Sequence, residues 1–249
     1  MQLYPISLLD IIAPSNSIGV SMHIITFSDL VWFILPLGVV LWIYWRWSGD
    51  SITIPHAMAR MFLQLIAIGY VLTYIFATKE WLLVVGILTV MLLIASIIAL
   101  RPITQKNPKL YLISFVSILI GSGSTLIIVT FGVLDLKLWY EPRYIIPLAG
   151  MIFSASMNAL SLAGERFNSE YSKSGDYIAS RNTAYQASMI PKLNTFFAVG
   201  LVSIPGMMTG QILSGVDPII AVKYQIMVMF MILSSSGLSS AIYLRAIKP

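Results

Sequence analysis

Residues 81–100 read WLLVVGILTVMLLIASIIAL, an apolar run that contains no charged residue. A bilayer core of roughly 30 Å is crossed by about 20 helical residues, so this run is long enough to span it. Other stretches of the chain have comparable length and hydrophobicity. We predict seven transmembrane helices, at residues 24–45, 57–77, 81–100, 111–131, 143–163, 193–213 and 219–243.

The composition of the 249-residue chain supports a membrane protein, because 58% of its residues are hydrophobic and only 10% are charged. A soluble domain is nearer half apolar and a quarter charged. The shorter alternating segments of a β-barrel are absent, so the predicted fold class is all-α and polytopic. The chain has no cysteine, which excludes disulfides, thiolate metal sites and cysteine nucleophiles.

The loop charges predict an N-terminus outside and a C-terminus in the cytoplasm, because basic residues concentrate on the cytoplasmic side of the cell membrane. In this orientation the inner side holds Arg46, Arg60, Arg101, Lys106, Lys109, Arg166, Lys173, Arg181, Lys192, Arg245 and Lys248. The outer side holds Lys79, Lys137, Arg143 and Lys223. We expect one transmembrane domain over residues 1–249, with an extracytoplasmic segment at 1–23 and a cytoplasmic segment at 164–192.

No catalytic motif is visible in the sequence. A GxxxxGK[ST] phosphate loop and an HExxH zinc motif are both missing, so we expect no catalytic residue and no nucleotide bound by this chain. Charged residues occur only near the ends of the predicted spans. Proton pumps and retinal proteins depend on charges inside the membrane, so both classes are disfavoured.

Neutral polar side chains do occur inside the predicted spans, at Gln64, Asn158, Thr209, Gln211 and Gln225. Each could simply bond to a neighbouring helix. Together they suggest a polar seam where the second, fifth, sixth and seventh spans meet.

The sixth predicted span contains an unusual string, PGMMTGQILSG at 205–215. Pro205 is expected to kink or break the helix, and Gly206 and Gly210 form a GxxxG pair. Many transporters build midplane sites from interrupted helices, although a closely packed kinked helix without a ligand is the alternative. Met207 and Met208 carry soft thioethers that suit a metal, or they only fill space.

Smaller signals predict how the helices begin and how closely they approach. The string GSGST at 121–125 and the stripe of Ala155, Ala159 and Ala163 are suited to close helix packing, and the alanine stripe also to a dimer contact. Asp217 followed by a proline predicts the capped start of the last helix.

The segment 164–192 is the longest polar stretch, and Gly175 and Pro191 are expected to punctuate it. Asp176 is expected to cap a short helix. Along that helix Tyr177, Arg181, Tyr185 and Ser188 recur at helical spacing. The helix either docks a partner or lies against the membrane or its own bundle. Glu165 and Arg166, at the inner end of the fifth span, are expected to form a solvated pair at the membrane interface.

Three strings resemble one family of transport proteins. The longest is PGMMTGQILSGVDPIIAVKYQIMVMFM at 205–231. The second is PRYIIPLAGMI at 142–152, followed by Met157-Asn158. The third is a pattern in the second span that consists of Arg60, Gln64-Leu65 and GYVL at 69–72. On these strings the chain is identified as a member of the FetB-like permease family, which includes a bacterial iron exporter and a plant aluminium-tolerance protein. The resemblance implies the transmembrane subunit of an ABC transporter. Its partners would be a separate ATP-binding cassette ATPase, which holds ATP and Mg²⁺, and a second permease.

The resemblance and the residue patterns together suggest roles for particular side chains. The predicted substrate pathway comprises Gln64, Asn158, Met207, Met208, Thr209 and Gln211. The predicted gate or helix break comprises Pro205, Gly206 and Gly210. The predicted ATPase-coupling residues are Glu165, Arg166, Asp176, Tyr177, Arg181 and Tyr185.

The cargo implied by the resemblance is an exported metal ion such as ferrous iron. Only Asn158, Gln211 and Glu165 offer obvious oxygen donors, so the metal ligands stay unassigned. The plant branch of the family suggests an organic cargo such as a nucleotide sugar instead. A transporter or channel that works without an ATPase, and a membrane interaction protein without cargo, are further alternatives.

Two features depart from the family pattern. Family members carry a Leu-Gly-Ala-type coupling stretch before the sixth span, and this chain lacks it. The family also tends to have Gly-Asn where this chain has Ser154-Ala155. The first departure affects how an ATPase would dock, and the second removes one polar group.

Overall fold

The computed structural model describes Thr26 and residues 28–77, 80–103 and 107–248. The predicted extracytoplasmic segment 1–23 lies outside the described residues. Within the described ranges the chain is built of helices and contains no β-strand. The helices are α1 (Ile34–Ser48), α2 (Thr53–Ala77), α3 (Trp81–Ala99), α4 (Pro108–Ile127), α5 (Pro142–Ser174), α6 (Tyr177–Ala198), α7 (Gly206–Leu213) and α8 (Pro218–Ala246). A 3-10 helix, Asp29–Phe33, precedes α1, and a π-helix, Ile128–Val133, continues α4.

The chain divides into two compact units, Met1–Tyr70 and Val71–Pro249, with the boundary inside α2. In the first unit α1 ends at Gly49, whose φ of 70° is readily adopted by glycine. The Asp50 carboxylate then accepts hydrogen bonds from the N–H groups of Ile52 (2.9 Å) and Thr53 (3.0 Å), which starts α2. No residue of α1 or of this part of α2 is buried, and most of the exposed side chains are apolar, as expected for helices in lipid.

The core of the second unit lies between α3, α4, α5 and α8, with α6 packed on α5 and α8. Ile118, Ile152 and Leu160 are fully buried there. The predicted close approach of helices at GSGST is confirmed. A Cβ added at Gly121 would lie 2.6 Å from the backbone nitrogen of Ser239 and 2.9 Å from its Cα, so the α4 and α8 backbones touch.

The alanine stripe of α5 is also buried, with Ala155 5%, Ala159 1% and Ala163 0% exposed. Of the two predicted uses of this stripe, close packing within the chain is therefore the one observed. Ala155, one of the two positions that depart from the family pattern, faces this core, whereas its neighbour Ser154 is exposed.

The predicted helix starts are confirmed. Asp217 Oδ1 accepts hydrogen bonds from the N–H groups of Ile219 (2.9 Å) and Ile220 (3.3 Å), and Pro218 is the first residue of α8. Asp176 Oδ1 accepts from Ile178 (2.8 Å) and Ala179 in the same way at the start of α6. These carboxylates satisfy N–H groups that have no partner within the helix.

The predicted count of seven transmembrane helices is not confirmed. Within the described residues, six helical stretches are long and apolar enough to cross a membrane: Asp29–Ser48, Thr53–Phe76, Trp81–Ala99, Pro108–Val133, Pro142–Ser174 and Pro218–Ala246. The stretch predicted as the sixth span, 193–213, is instead divided into the end of α6, a connection at 199–205 and the short helix α7. Pro205 lacks an N–H group and has an extended backbone (ψ 141°), so one helix cannot pass through it.

The segment 164–192 also differs from its prediction. Its first part is helical, because α5 continues to Ser174 and is about 50 Å long, some 20 Å more than the hydrocarbon core. Gly175 ends α5 with a φ of 65°, as predicted. Pro191 does not end a helix: it lies inside α6, and its carbonyl oxygen accepts a hydrogen bond from the Thr195 hydroxyl (2.8 Å).

Candidate functional site: two cavities beside α7 and an exposed polar face on α5

The break before α7 is a tight turn. The N–H groups of Val202 (2.8 Å) and Ser203 (3.2 Å) donate to the carbonyl of Ala198, and Gly200 donates to the carbonyl of Ser203 (2.9 Å). Gly200 has a φ of 81°, which a residue with a Cβ rarely adopts. The predicted break is confirmed, but it begins six residues before Pro205.

The stretch from α6 to α7 runs antiparallel to α8. The Tyr177 hydroxyl donates to the carbonyl of Leu244 at the last turn of α8 (3.1 Å), and the rings of Phe196 and Phe230 lie 6.3 Å apart near its middle. Gln211 of α7 lines a cavity together with Tyr224 near the first turns of α8. α6 therefore lies beside the second half of α8, and α7 lies beside its first half.

One cavity, of about 320 Å³, lies between α5, α7 and α8; we call it the α7 cavity. Two predicted pathway residues, Met207 and Gln211, line it. The amide oxygen of Gln211 is buried and has no hydrogen-bond partner among the described residues. A buried amide oxygen without a partner costs free energy, so a water or a ligand group in this cavity would stabilise it.

The remaining lining of the α7 cavity was not predicted. It includes the thioethers of Met151 and Met227 and the side chains of Arg143 and Tyr224. Three methionines thus surround the cavity with one amide and one guanidinium. A signal was present in the sequence, because Met151 lies seven residues before Asn158 on the same face of α5.

A second cavity, of about 420 Å³, is lined by Pro205 and Met208 of the predicted site, together with Gln225 of α8. Gln225 is buried, and its amide oxygen has no partner in the part of the chain that the structure describes. The rest of the lining is almost wholly apolar, for example Phe196, Ile204 and Phe230. Pro205 and Met208 therefore lie on a different side of α7 from Met207 and Gln211.

The other predicted residues of α7 lie on its outer face. Gly206, Thr209 and Gly210 are exposed, and a Cβ added at either glycine would meet no atom within 4 Å. The Thr209 hydroxyl bonds to the carbonyl of Pro205 (3.1 Å) within the same helix. The GxxxG pair therefore makes no close helix contact within the described chain.

Asn158 lies on an exposed face of α5. Pro147, Ser154, Asn158 and Glu165 are exposed along this face, and Met151 between them reaches the α7 cavity. Ser154 and Asn158 fall within the first 17 residues of α5, so they lie at membrane depth. Polar groups exposed to lipid are costly, which suggests that this polar α5 face meets protein or water.

Gln64 is an exposed residue of α2 and belongs to the first unit. The structure therefore brings Met207 and Gln211 together with the α5 face that carries Asn158, and it places Pro205 and Met208 in the second cavity. In the described residues no group of three or more His, Cys, Asp or Glu is arranged to hold a metal ion.

The predicted coupling helix α6 packs part of its surface against the bundle. Ser180, Ala184 and Ser188 are buried, and the Tyr177 ring stands edge-on to Phe167 at 5.9 Å. Of the two alternatives for this helix, packing against its own bundle is the one observed for this face. Its opposite face exposes Ile178, Asn182, Gln186 and Ile190.

The charges near the α5–α6 turn are mostly exposed. Glu165 and Arg166 are both exposed but do not pair with each other, because adjacent residues point to different sides of a helix. Arg166 instead forms a 3.0 Å salt bridge with Glu170, one turn later.

The relatives of this sequence fit the membrane architecture. The sequence pattern described as "Uncharacterised protein family (UPF0014)" matches residues 27–248, nearly the whole described chain. The chain belongs to the UPF0014 family. The UPF0014 chain is therefore a multi-pass protein of the cell membrane, and the resemblance to FetB-like proteins is confirmed.

Three UPF0014 relatives are informative. The UPF0014 membrane protein slr1647 of Synechocystis is 36% identical over 230 residues, which cover 86% of this chain and 88% of that protein. The probable iron export permease protein FetB of Escherichia coli is 35% identical over 205 residues, 75% of this chain and 76% of that protein. The protein ALUMINUM SENSITIVE 3 of Arabidopsis thaliana is 29% identical over 203 residues, 74% and 72% of the two chains. No solved structure matches this UPF0014 chain.

Proposed function

We propose that the chain is the membrane-spanning subunit of an ABC transporter that exports a metal ion such as iron. A separate ATP-binding cassette ATPase would supply the energy, and this chain would catalyse no reaction itself. The observation that carries the proposal is the polar α5 face, exposed at membrane depth and continuous with the α7 cavity. The 35% identity to a probable iron export permease supports the metal cargo.

The working unit in this proposal contains two copies of the chain. In a dimer that pairs the polar α5 faces, Ser154 and Asn158 of each copy line a shared path and leave the lipid. The exposed GxxxG face of α7 is suited to the same close approach between copies. The amide oxygens of Asn158 and Gln211, with the thioethers around the α7 cavity, supply neutral ligands for a partly dehydrated cation.

Energy would reach this path through the α5–α6 turn. The part of α5 that extends beyond the membrane carries exposed Glu165 and Arg166. Tyr177 and Tyr185 lie against α8, so they transmit a movement of α6 to the bundle instead of contacting the ATPase directly. This distribution of roles revises the predicted coupling set.

The proposal is tested by reconstituting the chain into vesicles with a candidate ATP-binding cassette ATPase and measuring ATP-dependent movement of Fe²⁺. We expect Asn158→Leu combined with Gln211→Leu to reduce transport severalfold while the ATPase still co-purifies. Asn194→Leu is the matched control, since Asn194 is an exposed amide of α6 that lines neither cavity.

The outcomes separate the alternatives. Uphill transport by the chain alone would replace the ABC proposal with a secondary transporter. ATP-dependent transport of a nucleotide sugar, with no response to Fe²⁺, would change the cargo and keep the mechanism. An equal loss of transport in the control and in the double variant would contradict the proposed path.

A further inference from the structure

A groove between α6 and α8 lies at the end of the bundle where α8 finishes. Its volume is about 390 Å³. The lining residues are Arg181, Asn182, Tyr185 and Gln186 of α6, and Ala241, Leu244 and Arg245 of α8. The transport proposal assigns no ligand to this groove.

The groove is positively charged and contains no acid. Arg181 and Arg245 both line it, whereas no carboxylate does. Among the described residues, no carboxylate lies within salt-bridge distance of Arg181 or Arg245. Two guanidinium groups beside neutral donors favour an anion with several oxygen atoms, such as a phosphate group.

Arg181 is held in place before any ligand arrives. Its Nε (3.2 Å) and Nη2 (3.0 Å) donate to Asn182 Oδ1, and its guanidinium carbon lies 5.7 Å from the centre of the Tyr177 ring. A guanidinium has five N–H groups, so several remain available for a ligand. An already oriented arginine loses less side-chain entropy on binding than a mobile one.

The depth of the groove matches the phosphate layer of a membrane. About 20 residues of α8, counted from Ile219, cross the hydrocarbon core and reach Leu238. Arg245 then lies about 10 Å further along the helix, at the depth of the lipid headgroups. The hydrogen bond from Tyr177 to Leu244 places the first turn of α6 at the same level, and Arg181 one turn closer to the core.

The helix surfaces beyond the groove are apolar on the membrane side. Leu238 of α8 is 47% exposed and Ile190 of α6 is 53% exposed, and Ala241 at the edge of the groove is exposed as well. A free phosphate or an acidic protein segment would use the arginines and leave this strip unused. A phospholipid uses both, with its phosphate at the arginines and an acyl chain along the strip.

We propose that the α6–α8 groove is a binding site for an anionic phospholipid, with the headgroup phosphate between Arg181 and Arg245. Basic pockets between membrane helices on the cytoplasmic side bind such headgroups in other proteins. The lipid would bridge α6 to α8 beside the Tyr177 contact and hold the α5–α6 turn against the bundle. The inference requires only that the chain spans a membrane, so it stands independently of cargo and ATPase.

The test uses the full chain in detergent, with phosphatidylglycerol or phosphatidylcholine added at matched mole fractions. Retained lipid is counted by native mass spectrometry, and the apparent melting temperature is measured in parallel. We expect selective retention of phosphatidylglycerol and a higher melting temperature with it. Each of Arg181→Gln and Arg245→Gln should weaken the binding by about tenfold, the loss of one charge-assisted hydrogen bond.

The matched control is the double variant Arg101→Gln plus Lys173→Gln. It removes two positive charges, one more than either single arginine variant, from exposed positions that do not line the groove, and it should keep the lipid preference. Equal loss in the control would show attraction to net charge only and would overturn the proposal. Stabilisation by inorganic phosphate equal to that by phosphatidylglycerol would also overturn it. Unchanged lipid retention in the arginine variants, together with loss of ATPase binding, would overturn it as well, since that result assigns the groove to a protein.

Discussion

At the scale of single residues, the packing of the bundle depends on positions where the absence of a side chain lets two helices touch. Gly121 of α4 is the clearest, because a hydrogen in place of a side chain lets the backbone approach Ser239 of α8. Around this contact, hydroxyl groups connect the helices: Ser122 and Ser156 lie 2.9 Å apart, and Ser239 donates to Ser156 (3.1 Å). Small residues thus bring α4, α5 and α8 into a contact that bulky apolar residues would prevent.

We expect Gly121→Ala to lower the free energy of unfolding by about 1–3 kcal/mol, the usual cost of overfilling a packed interior. The new methyl group would collide with the Ser239 backbone, which cannot rotate away. Thermal unfolding in detergent measures the effect. Gly123→Ala is the control, because its Cβ would meet nothing closer than the Leu119 side chain at 4.0 Å. A similar loss in both variants would show that helix flexibility, not the contact, is important.

The cap of α8 is a second residue-scale feature. We expect Asp217→Ala to destabilise the protein by about 1 kcal/mol, because two N–H groups at the start of α8 lose their acceptor. Asp217→Asn keeps a side-chain oxygen at this position and should lose little stability. Hydrogen exchange at Ile219 and Ile220 reports the cap directly, and unchanged exchange in the alanine variant would contradict this account.

At the scale of elements, two prolines near each other in the chain have opposite effects on helix continuity. Pro191 lies within α6, where the helix continues through it, whereas Pro205 ends the connection before α7. The difference comes from context, since the residues just before Pro205 form a turn closed by Gly200 with a positive φ. Pro191 instead has helical residues on both sides. A proline alone therefore indicates a weak point in a helix, and its neighbours determine whether the helix breaks.

We expect Pro205→Ala combined with Gly206→Ala to reduce transport severalfold. Without the proline and the glycine, α7 would extend toward its N-terminus and shift Met207 and Gln211 from the α7 cavity. Vesicle transport with the ATPase present measures the loss. Pro191→Ala is the matched control and should leave transport near the wild-type rate, because it removes a proline from a helix that is already continuous. Unchanged transport in the double variant would refute a gating role for the break.

At the scale of the whole molecule, the described residues leave polar surface at membrane depth without a protein partner. Ser154 and Asn158 are exposed on α5, whereas the interior serines of α4 and α8 are buried. Lipid cannot hydrogen-bond these two exposed groups. In the proposed dimer, a second copy of the chain would cover both groups and line the proposed path.

The absence of cysteine from the sequence makes this arrangement directly testable. A single Asn158→Cys variant, oxidised in membranes, should give severalfold more disulfide-linked dimer on a non-reducing gel than Ile97→Cys. Ile97 is the control because it is 57% exposed on α3, on an apolar surface suited to lipid. Equal crosslinking at both positions would indicate random collision, and no crosslinking at Asn158 would contradict a dimer through this face.

The sequence alone determined the all-helical membrane class, the break near Pro205, the caps at Asp176 and Asp217, and the close contact at Gly121. Each follows from local chemistry: the length of an apolar run, a missing N–H group, a carboxylate beside free N–H groups, or a side chain of one hydrogen. Only the tertiary structure separated Met207 and Gln211 from Pro205 and Met208, turned Tyr177 toward α8, and paired Arg166 with Glu170. These results depend on which face of a helix meets which neighbour, and that is decided by the packing of residues far apart in the chain, such as Gln211 and Met151.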